Sequence, residues 1–247
     1  MTAVTALHPP RRRDPVAHTV VRIGRVNLAY LGWFWVVVLP FVVVFSLVLA
    51  RVNGSLDAAV VLYTRQGAVW FPFAYAIGLV TSYLRVHVAA GMTRRTFARA
   101  TLLVGVGTGT GYALALALLT VVERALHHAA GWGWRVADAG LADETSAAGL
   151  LTAELVLTFV VANVSGLLVG AVYQRGGGWW GTLTLPLTVG PVAAVVALLT
   201  ARGTSVPAHL TWAQAAPTLL AAALVVAVTA AAYVAVVTRT PIRQPAP

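Results

Sequence analysis

Six apolar stretches, each bounded by charges or turn residues, occupy roughly 28–50, 67–84, 100–122, 147–173, 179–200 and 212–238. An α-helix rises ~1.5 Å per residue, so about 20 such residues cross a ~30 Å hydrocarbon core. The second stretch is short before Arg85, and its continuation through Ala90 supplies the missing length. In lipid every backbone donor and acceptor needs a partner within the protein, which leaves helices as the form for such segments. Composition points the same way: 59% of the 247 residues are hydrophobic and 10% charged, against roughly a quarter charged in soluble domains. The expectation is an all-α integral membrane protein, with a single six-span transmembrane domain over 28–238.

Arginine placement predicts the orientation. Arg11, Arg12, Arg13, Arg22, Arg25, Arg85, Arg94, Arg95, Arg99, Arg175, Arg239 and Arg243 fall on the side of the N-terminus, and Arg51, Arg65, Arg124, Arg135 and Arg202 on the other. The acids lean oppositely, with Asp57, Glu123, Asp138, Asp143 and Glu144 across from the lone Asp14. Positive loops stay cytoplasmic, so both termini are expected inside a multi-pass plasma membrane protein. The Ala/Val/Gly/Arg bias without lysine suggests a GC-rich, bacterial genome. Residues 1–15, rich in proline and arginine, read as a disordered basic leader, 16–27 as an inner-surface helix, and 239–247 as a cytoplasmic tail. The first apolar stretch exceeds the ~7–15 residues of a signal-peptide core. The net charge of +10 is a topology signal: arginines scattered over many loops make no nucleic-acid face.

Absences narrow the chemistry. There is no cysteine, so thiolate metal sites and cysteine nucleophiles are excluded. All seventeen basic residues are arginine, so the chain has no P-loop lysine and no Schiff-base lysine. No histidine or aspartate lies inside a span, and there is no HExxH. The reading is a non-enzyme with no cofactor of its own. Glu123, His127 and His128 share a helix face as a fragment of a metal site or, more simply, as a solvated helix end. The run GVGTGTG lacks the spacing and acidic partner of a nucleotide loop. Its glycines form two interleaved pairs, Gly105/Gly109 and Gly107/Gly111, and Gly166/Gly170 makes another. Such spacing lets helices approach closely in lipid, so span 3 is expected to contact neighbours on both faces.

Glu154 is the ionisable residue plainly within a span, and charge there is costly. With Thr158 and Ser165 it forms a polar stripe that reads as part of a translocation path. The simpler alternative is that Glu154 reaches outer water or pairs with Arg124. Pro72, Pro186 and Pro191 are expected to interrupt backbone bonding in spans 2 and 5.

The segment LRVHVAAGMTRRTFARA (Leu84–Ala100) carries four arginines among helix formers. Over FPFAYAIGLVTSYLRVHVAAGMTRRTFARA (Phe71–Ala100), notably Gly91, Arg94, Arg95 and Phe97, the chain resembles ABC transporter permeases of the type-2 export class. The resemblance implies six spans with both ends inside, an inner-surface helix before span 1, and a short coupling helix between spans 2 and 3. It also implies that Gly91, Arg94, Arg95 and Phe97 meet a separate cytosolic ATPase that binds ATP and Mg, and that a second permease copy or paralogue completes the path. The chain departs from better-known members in its long outer loop, which lies at 123–146 rather than between spans 5 and 6, where only about 201–211 is available. Two rivals remain: a non-transporting membrane anchor or sensor, and a membrane enzyme dependent on Glu154.

Overall fold

In the computed structural model, residues 14–135, 141, 148–201 and 211–240 are described. The leader through residue 13, most of the segments 136–147 and 202–210, and the tail from 241 lie outside them. Seven helices appear among the described residues: α1 (Pro15–Asn53), α2 (Val60–Tyr63), α3 (Arg65–Ala89), α4 (Arg94–Ala129), α5 (Ala148–Leu183), α6 (Leu185–Thr200) and α7 (Trp212–Thr238). The α2–α3 unit, α1, α4, α5 and α7 are each long and apolar enough to cross a bilayer, while α6 is a shorter apolar helix of 16 residues.

Helix α1 corrects one expectation. The inner-surface helix over 16–27 and the span over 28–50 are a single helix of 39 residues. Asp14 starts it, its carboxylate accepting from the Val16 N–H at 3.0 Å, with Pro15 in the first turn. No residue between 16 and 39 removes a helical hydrogen bond, and the interior glycines cost only about 1 kcal/mol each. Thr19, Ile23, Asn27 and Leu31 are buried at spacings of four, so one stripe of the first half packs on the bundle. Asn27 donates to the Thr108 hydroxyl at 2.6 Å, and Tyr112 donates to the Leu31 carbonyl at 2.7 Å. Beyond Leu31 the helix exposes Trp33, Val36, Val37, Phe41, Val43, Val44 and Leu47, side chains suited to lipid.

Helix α5 is the axis. It is apolar on every side, the pattern of a helix surrounded by others, and Leu155, Phe159, Val161, Ala162, Val164 and Ala171 are fully buried. Neighbours α3, α4, α6 and α7 pack around it. Helix association in lipid rests on close packing and polar contacts rather than on escape from water, and glycines supply the closeness. A Cβ at Gly109 would meet the Val160 Cα at 2.8 Å, and one at Gly170 would meet the Ile77 carbonyl at 2.8 Å. Gly105 and Gly166 sit in the same two seams, against Leu167 and Phe73 respectively. Gly107 and Gly111 differ: they are exposed and nothing lies near them, so the close glycine seam is with α5, while Thr108 of the same run meets Asn27 of α1.

The helical path of α5 breaks at Gly177, whose φ of 75° and ψ of −176° only glycine tolerates. The chain then turns back along the bundle, with Gly181 against the Tyr173 ring. Thr184 N donates to the Trp180 carbonyl and Thr188 N to the Thr184 carbonyl, carrying the helix onward into α6. Pro186 falls in the first turn of α6. Its missing N–H therefore breaks no interior bond there, contrary to expectation. Pro72 and Pro191 do lie inside helices.

Two core clusters stack along the bundle. One gathers Tyr112, Leu116, Leu155, Phe159, Val195 and Leu199, and the other Ile23, Leu79, Leu84, Phe97, Leu167 and Tyr233. Thr101 and Tyr233 share a hydrogen bond of 2.6 Å inside the second, tying α7 to α4.

Candidate functional site

The helix directions bring Arg22, Arg25, Arg85, Arg94, Arg95, Arg99, Arg175 and Arg239 to one end of the bundle. Three contacts fix that juxtaposition. Thr19 lies against the Met92 sulfur at 3.9 Å, Arg85 donates to Gln174 at 3.2 Å, and Gln174 donates to the Thr81 carbonyl at 2.5 Å. Among the described residues Asp14 is the acid on this side, and no carboxylate pairs with these arginines. The result is an uncompensated positive surface.

At its centre is the α3–α4 turn. Gly91, at φ +81°, donates to the Val88 carbonyl, and Met92 donates to the His87 carbonyl; this is the paired closure of a Schellman motif, which favours glycine at that position. Thr93 then caps α4, its hydroxyl accepting from the Thr96 N–H at 3.1 Å. The separate coupling helix expected between spans 2 and 3 is absent. Arg94, Arg95, Phe97 and Arg99 form the first turns of α4 itself, because Thr93 opens a helix that nothing interrupts before Ala129. Arg95 and Arg99 are exposed and Arg94 half-buried. Phe97 is wholly buried, with its ring 5.2 Å from that of His87. It anchors the turn rather than projecting from it.

The stripe Glu154, Thr158 and Ser165 lies inside the protein. All three are at most 2% exposed, and they line none of the three grooves described below. The sequence reading placed them along a path; here they are enclosed between α5 and its neighbours. Arg65 approaches Glu154 to 3.0 Å, whereas Arg124 lies over the Trp134 ring, 5.4 Å from its centroid. The Thr158 hydroxyl turns back to the Glu154 carbonyl at 2.9 Å.

At the end opposite the arginines, Glu123 and His127 are both buried but serve different partners. Glu123 accepts from the Val61 N–H at 3.0 Å and His127 contacts the Gly133 carbonyl at 2.8 Å. Gly133 N donates to Asp57 at 3.0 Å, and Ala58 and Arg135 pair as an isolated parallel bridge, with Ala59 N donating to the Arg135 carbonyl and Arg135 N to the Asp57 carbonyl. These contacts stitch residues 57–59 to 133–135 and Val61 to α4. No group of three or more histidine, cysteine or acidic residues positioned to hold a metal occurs among the described residues.

Three grooves flank α1. One of 420 Å³ runs between α1 and α4 past Asn27, Gly107, Thr108 and Gly111. A second of 190 Å³ lies between α1 and α3 at the arginine-rich end, with Arg22, Tyr83 and His87 in its lining. The third, 710 Å³, separates the far half of α1 from α2 and α3 and is lined by Phe34, Phe41, Phe45, Val60 and Tyr63.

Sequence reasoning missed Arg65 as the partner of Glu154, and Asn27 as a residue of the helix interface. A signal existed for the first: an acid inside a span requires a base, and Arg65 heads the second span at the matching border. Comparison with protein-family models, with curated proteins and with solved structures returns no match to this chain.

Proposed function

We propose that the chain is the transmembrane subunit of an ATP-driven ABC exporter, spanning a bacterial cell membrane six times with both termini in the cytoplasm. In this reading α6 and the turn leading into it form the fifth span in chain order, completing the six. The arginine-rich end faces the cytoplasm, as the positive-inside rule requires.

One observation carries the reading: Arg94 and Arg95 stand at the capped start of a 36-residue helix that packs along the central helix α5. A load applied to that turn passes directly into the core, with the buried Phe97 as its fulcrum. The uncompensated arginines suit an acidic docking groove on a cytosolic ATPase, which would supply the binding of ATP and Mg. ATPase closure would then rock the helices as rigid bodies. A second copy or a paralogue completes the path. Because the Glu154 stripe is enclosed within one protomer, the route for cargo would run along a surface shared between protomers.

The test is the double variant Arg94→Glu/Arg95→Glu. It should leave the protein folded in the membrane while abolishing ATPase association and transport. Normal association in that variant would remove the coupling assignment.

A further inference from the structure

The 190 Å³ groove between α1 and α3 is amphipathic from end to end. Ile23, Val26, Tyr75 and Leu79 line one part, and Arg22, Val86, His87 and Met92 line the other. From Tyr75 to His87 is twelve residues of α3, or about 18 Å of helix. The groove is therefore long and shallow, and its mostly apolar lining suits an unbranched hydrocarbon chain.

Its charged end is equally specific. Arg22 is exposed and has no hydrogen bond or ion pair among the described residues. The neighbouring His87 ring is held by its Nδ1, 3.1 Å from the Tyr83 carbonyl, and by the Phe97 ring, so the wall beside Arg22 is fixed.

We infer that this groove is a binding site for an anionic phospholipid, with one acyl chain between α1 and α3 and the headgroup phosphate on Arg22. The site lies at the surface of the arginine-rich end, where anionic headgroups concentrate if that end is cytoplasmic. It is independent of any ATPase. Its floor includes Ala90 and Met92, so an occupied groove supports the turn that presents Arg94 and Arg95.

The experiment is native mass spectrometry of the full chain released from nanodiscs of phosphatidylglycerol and phosphatidylcholine in equal amounts. One arginine near an anionic surface is worth about fivefold in affinity. The wild type should therefore retain phosphatidylglycerol over phosphatidylcholine by roughly that factor. Arg22→Gln should erase the preference, Arg22→Lys should keep it, and Arg175→Gln, at the same end but outside the groove, should leave it unchanged. Val26→Trp, which fills the groove from a partly exposed position, should reduce retention of both lipids. The proposal is overturned if the preference survives Arg22→Gln, or is lost equally in Arg175→Gln. It is also overturned if oleate or inorganic phosphate at the same concentration displaces the lipid.

Discussion

Arg65, at the first turn of α3, holds the carboxylate of Glu154 at 3.0 Å across the seam with α5. Glu154 is 1% exposed and Arg65 17%, so the acid is enclosed while the base keeps a path toward the bundle surface. An enclosed carboxylate without a base is strongly unfavourable, whereas a pair can be exchanged for apolar side chains at little cost. This asymmetry separates a structural clamp from a functional charge.

Arg65→Met alone should therefore destabilise the protein by about 3 kcal/mol, the lower end of what breaking a buried pair costs, because Arg65 is partly solvated. The double variant Arg65→Met/Glu154→Leu should recover most of that loss. Reversible unfolding in mixed detergent micelles measures both. If the double variant unfolds as easily as the single one, the two residues are not coupled. If it regains stability yet stays inactive, Glu154 has a role beyond the clamp.

The two glycine pairs of α4 should respond in opposite ways. Gly109→Ala places a methyl 2.8 Å from the Val160 Cα, and overpacking of this kind costs about 1–3 kcal/mol. Gly107→Ala meets open space and gains up to about 1 kcal/mol of helix propensity. Thermal unfolding of the two variants in one detergent checks the sign of each. Equal effects would mean that the seam between α4 and α5 is not as drawn.

Those pairs also show what could be read from the residues. The apolar runs were legible because length and hydropathy settle membrane helices without reference to contacts. The closeness at Gly109 and Gly170 followed from spacing, but which of the interleaved pairs faces a neighbour depends on where α5 lies, and spacing is silent on that. Glu154 was visible as an anomaly; its partner, in a different helix, was not. The separate coupling helix was expected from resemblance, although Thr93 followed by uninterrupted helix formers already pointed to one long α4. The helix expected over 16–27 is present but continuous with the span, since no residue between 16 and 39 ends a helix.

Tyr233→Phe removes the hydroxyl that meets Thr101 at 2.6 Å. Interhelical hydrogen bonds in membranes average about 0.6 kcal/mol, so a double-mutant cycle with Thr101→Val should give a coupling near that value. A coupling of zero would place α7 differently against α4.

The absence of native cysteine makes orientation directly measurable. A cysteine at Arg95 should react with an impermeant maleimide only in inside-out vesicles, and one at Ser55 only in intact cells. The reverse pattern would invert the assigned orientation and place the arginine-rich end outside.

The most direct test of the central claim is to purify the tagged chain from its native membrane in mild detergent and assay the co-purifying proteins for ATP hydrolysis. The account predicts a stoichiometric ATPase subunit with a P-loop, present with the wild type and lost with Arg94→Glu/Arg95→Glu. A folded, intact chain that purifies without any such subunit would contradict it.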